Sequence, residues 1–295
     1  MKRVLVTGAS GFTGQYIVTS LRKAGCYVVG MGYGKSGADE NIRCDLTKID
    51  EVTAAVASAK PDWCVHLAAL AFVGHHSLGE FYEVNVVGTM NLLDALEELE
   101  KVPEKVLVAS SANIYGAPNV GLITEEVCPA PVNHYACSKL AMEHMVATRF
   151  CRMPIVITRP FNYTGPRQND RFLIPKIVKH FALKEREIEL GNLDVSRDFS
   201  DVRDVVDAYL RLLLSDLQGV YINICSGRAI TLRSVLEMMS KIAGYEIGVS
   251  VNPAFVRENE IPVLAGDPSR LEAYVGKIER RSFSSTLEDM YRAGQ

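Results

Sequence analysis

Hydrophobic and polar positions fall into two alternating rhythms along the first half of the chain. A short β-branched run, Lys2 to Thr7, predicts a buried strand, and Tyr16, Ile17, Val18 and Leu21 then mark one face of a helix. Cys26 to Met31 predicts a second strand and Asp45-Leu46 the close of a short third one. A helix over about 49–59 leads to strand Trp63–Leu67. A long helix follows, about Phe81 to Glu100, with Val84, Val87, Leu92, Ala95, Leu96 and Leu99 on its apolar side. Asn85 and Asn91 interrupt that side, and the pattern leaves open whether Asn85 is buried or wet. Strand Lys105–Ala109, a helix around Tyr135 and strand Pro154–Thr158 continue the series. Strand and helix in strict alternation predict an α/β fold, a doubly wound parallel sheet with helices on both faces.

Beyond Pro166 the rhythm breaks. Helices are expected at Phe172–Leu183, Asp201–Leu214 and, opening at a threonine cap, Thr231–Ala243; strands at Ile188–Leu190 and Val220–Cys225. From Gly244 the text is irregular and reads as loop-rich. The two units are expected to interleave: residues 1–162 with about 198–225 as a dinucleotide-binding domain, about 163–197 with 226–295 as a smaller α/β substrate domain.

Composition narrows the partners. The 295 residues are 48% hydrophobic and 23% charged, with a formal net charge of -3, so neither nucleic acid nor an anionic membrane is an expected partner. No apolar run approaches a membrane span, and Met1-Lys2-Arg3-Val4-Leu5-Val6 enters a strand without a signal-peptide pattern. Seven scattered cysteines form no Cys-x-x-Cys pair, and the adjacent His75-His76 read as loop residues. A cytoplasmic protein without disulfides or a metal is expected.

Candidate chemistry sits at the strand ends. Thr7-Gly8-Ala9-Ser10-Gly11-Phe12-Thr13-Gly14 joins the first strand to the first helix. Gly8 permits the tight turn, Gly11 lets backbone approach a pyrophosphate, and Gly14 lets helix and strand pack closely, so a dinucleotide site in a Rossmann-like unit is predicted. An NAD-selective site carries an acid after the second strand. Here Gly30-Met31-Gly32-Tyr33-Gly34-Lys35-Ser36 has none before Asp39, and Lys35 with Ser36 suits a 2′-phosphate, so NADP(H), or NAD(H) with weak discrimination, is expected. His66-Leu67-Ala68-Ala69 puts small residues at a strand end where a flat ring can lie. Ser110 and Ser111 end a central strand, where such sheets bind ligands. Tyr135 and Lys139, four apart, share one helix face about 5–6 Å apart at Cβ. An ammonium there is expected to favour the phenolate and bring the tyrosine toward its working range.

Taken together, Thr-Gly-x-x-Gly-x-x-Gly, His-Leu-Ala-Ala, the serine pair and Tyr-x-x-x-Lys resemble the extended short-chain dehydrogenase/reductases, the nucleotide-sugar-modifying epimerases, dehydratases and reductases. The resemblance covers essentially the whole chain. It implies Ser111, Tyr135 and Lys139 as the catalytic set. It implies a cofactor lying along Gly8, Ser10, Gly11, Phe12, Thr13, Gly14, Lys35, Asp45 (beside the adenine amino group), Leu46, Leu67, Ala68, Ala69, Ser110, Pro160 and Phe161. Asn162, Phe172, Arg197 and Arg257 match substrate positions, the two arginines suiting diphosphate oxygens through their rigid donor forks. The tail departs from the family: Gly276-Lys277-Ile278-Glu279 stands where relatives carry Gly-Trp-x-Pro, which puts the edge of the nucleotide pocket in doubt.

The implied reaction is reduction at C4 of a nucleotide-linked 4-keto-6-deoxyhexose, foremost GDP-4-keto-6-deoxy-D-mannose to GDP-D-rhamnose. The rivals are a 4-epimerase with tightly held NAD, the opposite C4 face giving GDP-6-deoxy-D-talose, and a dTDP-linked substrate. Dehydration needs acidic residues just after the catalytic hydroxyl, and Ala112 and Asn113 stand there. Cofactor-sensing relatives lose the Tyr or the Lys, and this chain keeps both. A homodimer is expected through a four-helix bundle of the helices beginning near Phe81 and His134, because Leu140, Met142, Met145 and Val146 spread beyond one stripe.

Overall fold

The computed structural model describes residues 1–71, 77–255 and 261–294, with Ala254 described by its backbone only. In chain order its strands are β1 (Arg3–Thr7), β2 (Tyr27–Met31), β3 (Glu40–Ile42), β4 (Trp63–His66), β5 (Lys105–Ala109), β6 (Ile155–Pro160), β7 (Asn162–Thr164), β8 (Glu187–Leu190), β9 (Ser196–Asp201), β10 (Val220–Ile224), β11 (Ala229–Thr231), β12 (Gly248–Val251) and β13 (Val263–Leu264). The helices are α1 (Phe12–Lys23), α2 (Ile49–Ala59), α3 (Leu78–Tyr82), α4 (Gly88–Glu97), α5 (His134–Ala147), α6 (Leu173–Ala182), α7 (Val202–Leu214), α8 (Leu232–Ala243), α9 (Ser269–Val275) and α10 (Phe283–Ala293).

A seven-stranded sheet runs β10-β6-β5-β4-β1-β2-β3, every neighbouring pair parallel. The β-branched strands bury both faces under helices, with Leu5, Val29, Val106 and Ile155 on one side and Val4, Val6, Leu107 and Val156 on the other. The chain leaves β1 toward β2 on one side and returns to β4 on the other. That reversal opens a crevice at the carboxyl ends of β1 and β4, where doubly wound sheets hold ligands.

The second half departs from the sequence expectation in two places. Ser196–Asp201 is a buried strand flanked by β11 and β13, and β7 pairs with it in parallel, Asn162 opposite Phe199. Beyond Gly244 the described residues include β12, which pairs in parallel with β8, and the helices α9 and α10. Phe283, Thr286, Leu287 and Met290 form the buried face of α10, a helical spacing that the polar residues between them obscure.

Two smaller corrections bear on the site. The third strand ends at Ile42, before Asp45, because the Asp45 carboxylate accepts from the Thr47 amide (2.9 Å) and hydroxyl (2.8 Å) and turns the chain toward α2. The long helix starts at Leu78, ends at Glu97 and widens into a π-turn over Glu83–Val87. That turn swings Asn85 fully inside. Its Oδ1 accepts from the Leu70 amide at 2.9 Å and its Nδ2 donates to Ser138 Oγ at 3.0 Å.

Candidate active site

The glycine-rich turn is built by contacts that no side chain could share. Gly8 sits at φ +68°, where a Cβ would meet the Ala68 amide nitrogen at 2.9 Å, and a Cβ on Gly14 would meet the Gly8 carbonyl at 2.2 Å. Gly11 is the N-cap of α1, so no side chain caps the helix. Its first amide groups, beside Ser10, Phe12 and Thr13, therefore offer donors and the positive end of the helix dipole to an anion. Backbone at Gly34 closes over Ser10, so that a Cβ there would meet Ser10 Oγ at 2.6 Å.

One buried imidazole fixes the opposite wall. His66 Nδ1 lies 2.7 Å from Thr7 Oγ1 and Nε2 lies 2.8 Å from Thr89 Oγ1. Thr89 donates to the Asn85 carbonyl, so it accepts from Nε2–H, and Thr7 donates to Nδ1 while accepting from the Ala68 amide at 3.2 Å. Burial, then the nearby Lys139 ammonium, push this imidazole down to about 3, so it is neutral. The network pins Leu67, Ala68 and Ala69 as a narrow shelf at the end of β4. Thr89 and Ser138 carry no sequence signal for this role, whereas Asn85 stands out as a polar break in an apolar helix face and Thr7 as the start of the glycine motif.

Past β3, Asp45 is held below the ordinary carboxylate range by the Thr47 amide and hydroxyl, and the exposed Tyr33 hydroxyl bonds to it. Leu46 follows, its carbonyl accepting from Asn91 Nδ2 at 2.8 Å. Lys35 is exposed on the β2–β3 loop, and Ser36 is engaged with Asn41 at 2.7 Å. Arg43 stands 6.0 Å over the Tyr33 ring, a second cation that no sequence pattern singles out.

Ser110 and Ser111 follow β5. Ser110 Oγ is buried and has no hydrogen-bond partner among the described residues. Ser111 Oγ accepts from the Asn113 amide and from Asn113 Nδ2, both at 3.2 Å, and it bonds to the Tyr135 hydroxyl. With its acceptor positions filled, the Ser111 proton is left to donate. Asn133 caps α5 by accepting from the Ala136 amide at 2.9 Å, which sets Tyr135 in the first turn. Lys139 Nζ, one turn on, donates to the Ala109 carbonyl at 2.8 Å.

The charge relationship expected of this pair is not what the structure has. Tyr135 is buried and raised to about 12, burial being the main cause, with the Ser111 hydrogen bond opposing. Lys139 itself is lowered to about 8 by burial, with Glu143 opposing. Loss of water governs both groups, and Nζ is engaged with the Ala109 carbonyl.

The substrate-side residues are partly gathered. Ser111, Asn113, Pro160, Phe161 and Asn162 line one open cleft with Leu264. Phe161 is buried and stacked on Tyr115, while Asn162 is exposed at the cleft. Phe172 begins α6, and Arg197 on β9 donates to the Ser196 carbonyl at 2.9 Å. Arg257 lies outside the described residues, as do His75 and His76. Tyr163, on β7 beside Asn162, is half-buried and bonds to Thr13 at 2.8 Å; no local pattern marks it. The described residues contain no group of His, Cys, Asp and Glu able to hold a metal ion. No described helix is long and apolar enough to cross a membrane.

Comparison with known proteins fits this geometry. Residues 4–225 match the NAD dependent epimerase/dehydratase family. The chain is 39% identical over 291 residues to the GDP-6-deoxy-D-talose 4-dehydrogenase of Aggregatibacter actinomycetemcomitans, covering 98% of this chain and 97% of that one. It is 34% identical over 288 residues to the GDP-6-deoxy-D-mannose reductase of Pseudomonas aeruginosa, covering 93% and 91%. Among solved structures, RMD from Pseudomonas aeruginosa complexed with NADPH superimposes with a TM-score of 0.88 at 30% identity, covering 100% of this chain and 99% of that one.

Proposed function

Because the chain belongs to the NAD dependent epimerase/dehydratase family of nucleotide-sugar oxidoreductases, we propose that it reduces the C4 keto group of a GDP-linked 4-keto-6-deoxyhexose. The observation that carries this reading is the Ser111–Tyr135–Lys139 constellation with Ala112 and Asn113 beside it. The cradle fits a dinucleotide: the pyrophosphate along Gly11 to Thr13, the adenosine by Lys35, Asp45 and Leu46, the nicotinamide end by the Leu67–Ala69 shelf, Ser110 and Pro160-Phe161. Ser110 Oγ there gains the partner it otherwise lacks.

When bound, NADPH or NADH supplies the hydride that reaches C4. Tyr135, kept protonated by its raised pKa, gives its proton to the forming alkoxide. Ser111 donates a hydrogen bond to the same oxygen. Lys139 holds the ribose hydroxyls next to the nicotinamide. Asn162, at the edge of the larger unit, and Phe172, Arg197 and Arg257 from the smaller one position the sugar diphosphate, so residues of about 163–197 and 226–295 act as the substrate domain. Asn113, bonded twice to Ser111, orients that serine and has no acid–base chemistry to offer a dehydration.

The product face separates two readings. The relative at 39% identity is named for GDP-6-deoxy-D-talose and the one at 34% for GDP-6-deoxy-D-mannose, which is GDP-D-rhamnose. The first similarity is longer and stronger, so we place the talose product first and rhamnose second. NMR of the product from GDP-4-keto-6-deoxy-D-mannose and NADPH tests both: the C4 configuration assigns the face, and no reduced sugar overturns the reading.

A further inference from the structure

The face of α5 that carries Tyr135 and Lys139 continues one more turn to Glu143, which is 1% exposed. Its carboxylate takes the Arg159 guanidinium on two arms, Nε to Oε1 at 3.0 Å and Nη2 to Oε2 at 2.7 Å. The third arm, Nη1, donates to the Tyr115 hydroxyl at 2.9 Å and to the Glu125 carbonyl at 3.4 Å. Tyr115 in turn donates to Asn223 Oδ1 at 2.8 Å, and its ring stacks on Phe161. The Tyr115 and Tyr221 rings lie 5.1 and 4.5 Å from the guanidinium carbon. A single buried cation at the end of β6 thus ties the catalytic helix to the segment after β5, to the 123–125 loop and to β10.

Such a pair is a poor way to stabilise a core. Two apolar side chains of the same volume commonly do as well or better, while an unpartnered survivor is strongly unfavourable. Its placement gives it another consequence. Around Lys139 the described neighbours on α5 are Tyr135 and Glu143. β4 supplies the neutral His66 and β5 the Ala109 carbonyl with Ser110 and Ser111 beyond it. β6 supplies Arg159 behind Glu143, while β7 and α7 bring the phenols of Tyr163 and Tyr209 to the Tyr135 side. Glu143 is the one anion in that set, and Arg159 is the cation that balances it.

We infer that Glu143 and Arg159 are positioning residues for the reaction proposed above: their two-armed contact sets the seat of the Tyr135–Lys139 face on β6, and their charge balance sets the field at Lys139 Nζ. The inference rests on that reading for the role of Lys139. Burial already brings Lys139 to about 8, with Glu143 opposing, so its titration falls in an accessible range.

The test reads NADPH affinity by fluorescence from pH 7 to 10 without any sugar, so a wrong substrate assignment leaves it intact. In the intact protein, affinity declines on an alkaline limb as Lys139 loses its proton. Glu143→Gln leaves the Arg159 charge uncompensated and moves the limb about one pH unit lower. Arg159→Met leaves the carboxylate uncompensated and moves it about one unit higher. Glu143→Leu combined with Arg159→Met restores neutrality and returns the limb close to its original place. A purely structural pair would lower affinity or folding in both single variants by a factor that does not change with pH. Unmoved limbs, limbs that move the same way, or a flat profile in the unsubstituted protein overturn the inference. If one single variant does not fold, the other with the double variant still decides the direction.

Discussion

Thr13 Oγ1 and the Tyr163 hydroxyl lie 2.8 Å apart, joining the first turn of α1 to strand β7 beside Asn162. The same seam stacks Phe12 on Tyr163, with ring centroids 6.2 Å apart and planes 13° from parallel. It also has Tyr16 donate to the Pro166 carbonyl at 2.8 Å. The segment proposed to hold the sugar diphosphate is therefore anchored on the loop proposed to hold the cofactor pyrophosphate. Cofactor and sugar nucleotide should bind cooperatively. Tyr163→Phe removes a hydrogen bond that contributes about 1 kcal/mol, and it should cut the coupling about fivefold. Titrating NADPH with and without saturating GDP measures it, and an unchanged affinity ratio in the variant rules the seam out as the link.

Tyr135→Phe should lower turnover by about 10²–10⁴-fold, the usual contribution of a positioned proton donor, while NADPH binds nearly as before. Retention of more than about a tenth of the rate would mean that another group supplies the proton.

The sheet and the cofactor loop are legible in the sequence because each rests on short-range rules. β-branched runs bury on both faces, and Gly8 and Gly14 stand where backbone leaves no room for a Cβ. The features that escape a sequence reading are non-local. Ser196–Asp201 is polar in text, and it forms a strand because Asp198 is enclosed by the Ser226 and Gly227 amides, at 2.8 Å each. Asn85 faces inward only because a π-turn shifts its phase. The protonation state of Tyr135 escapes as well, because spacing reports the distance to an ammonium and not how much water either group retains.

His66 should make stability depend on pH. Folding holds its imidazole neutral, down to about 3 from an ordinary 6.5. A depressed folded value means the contribution is fully present above about 6.5 and is lost as pH falls toward about 3. Between pH 7 and 5 the linkage amounts to about 2 kcal/mol. Urea midpoints at the two pH values should differ more for the unsubstituted protein than for His66→Gln. Equal pH dependence in both would show that carboxylates account for the whole effect.

Leu78, Tyr82 and Val87 on the α3–α4 stretch and Met145 on α5 are exposed, while α5 turns Ser138, Lys139 and Glu143 inward. Tyr82 and His134 already join the two stretches at 3.2 Å. A homodimer through this face would cover the apolar residues, and light scattering at micromolar concentration should give twice the chain mass. Val87→Glu with Met145→Glu should yield a folded monomer, and a monomeric mass for the unsubstituted chain refutes the arrangement.

Cofactor choice depends on the residues just past β2. A carboxylate there would bond a free 2′-hydroxyl and repel a 2′-phosphate, and none is present before Asp39. Lys35 is instead exposed on the loop after β2, and Arg43 stands over the Tyr33 ring at 6.0 Å. Both are solvent-screened, so each should contribute about 1 kcal/mol or less toward a 2′-phosphate. NADPH should therefore be used at least as well as NADH, with shallow discrimination. Lys35→Ala should weaken NADPH several-fold and leave NADH nearly unchanged, and adding Arg43→Ala should remove what preference remains. A kcat/KM for NADH more than about a hundredfold above that for NADPH would refute the assignment. So would NAD that stays with the purified protein through dialysis, and that result would also turn the reading toward epimerisation, since an epimerase must keep its cofactor between turnovers.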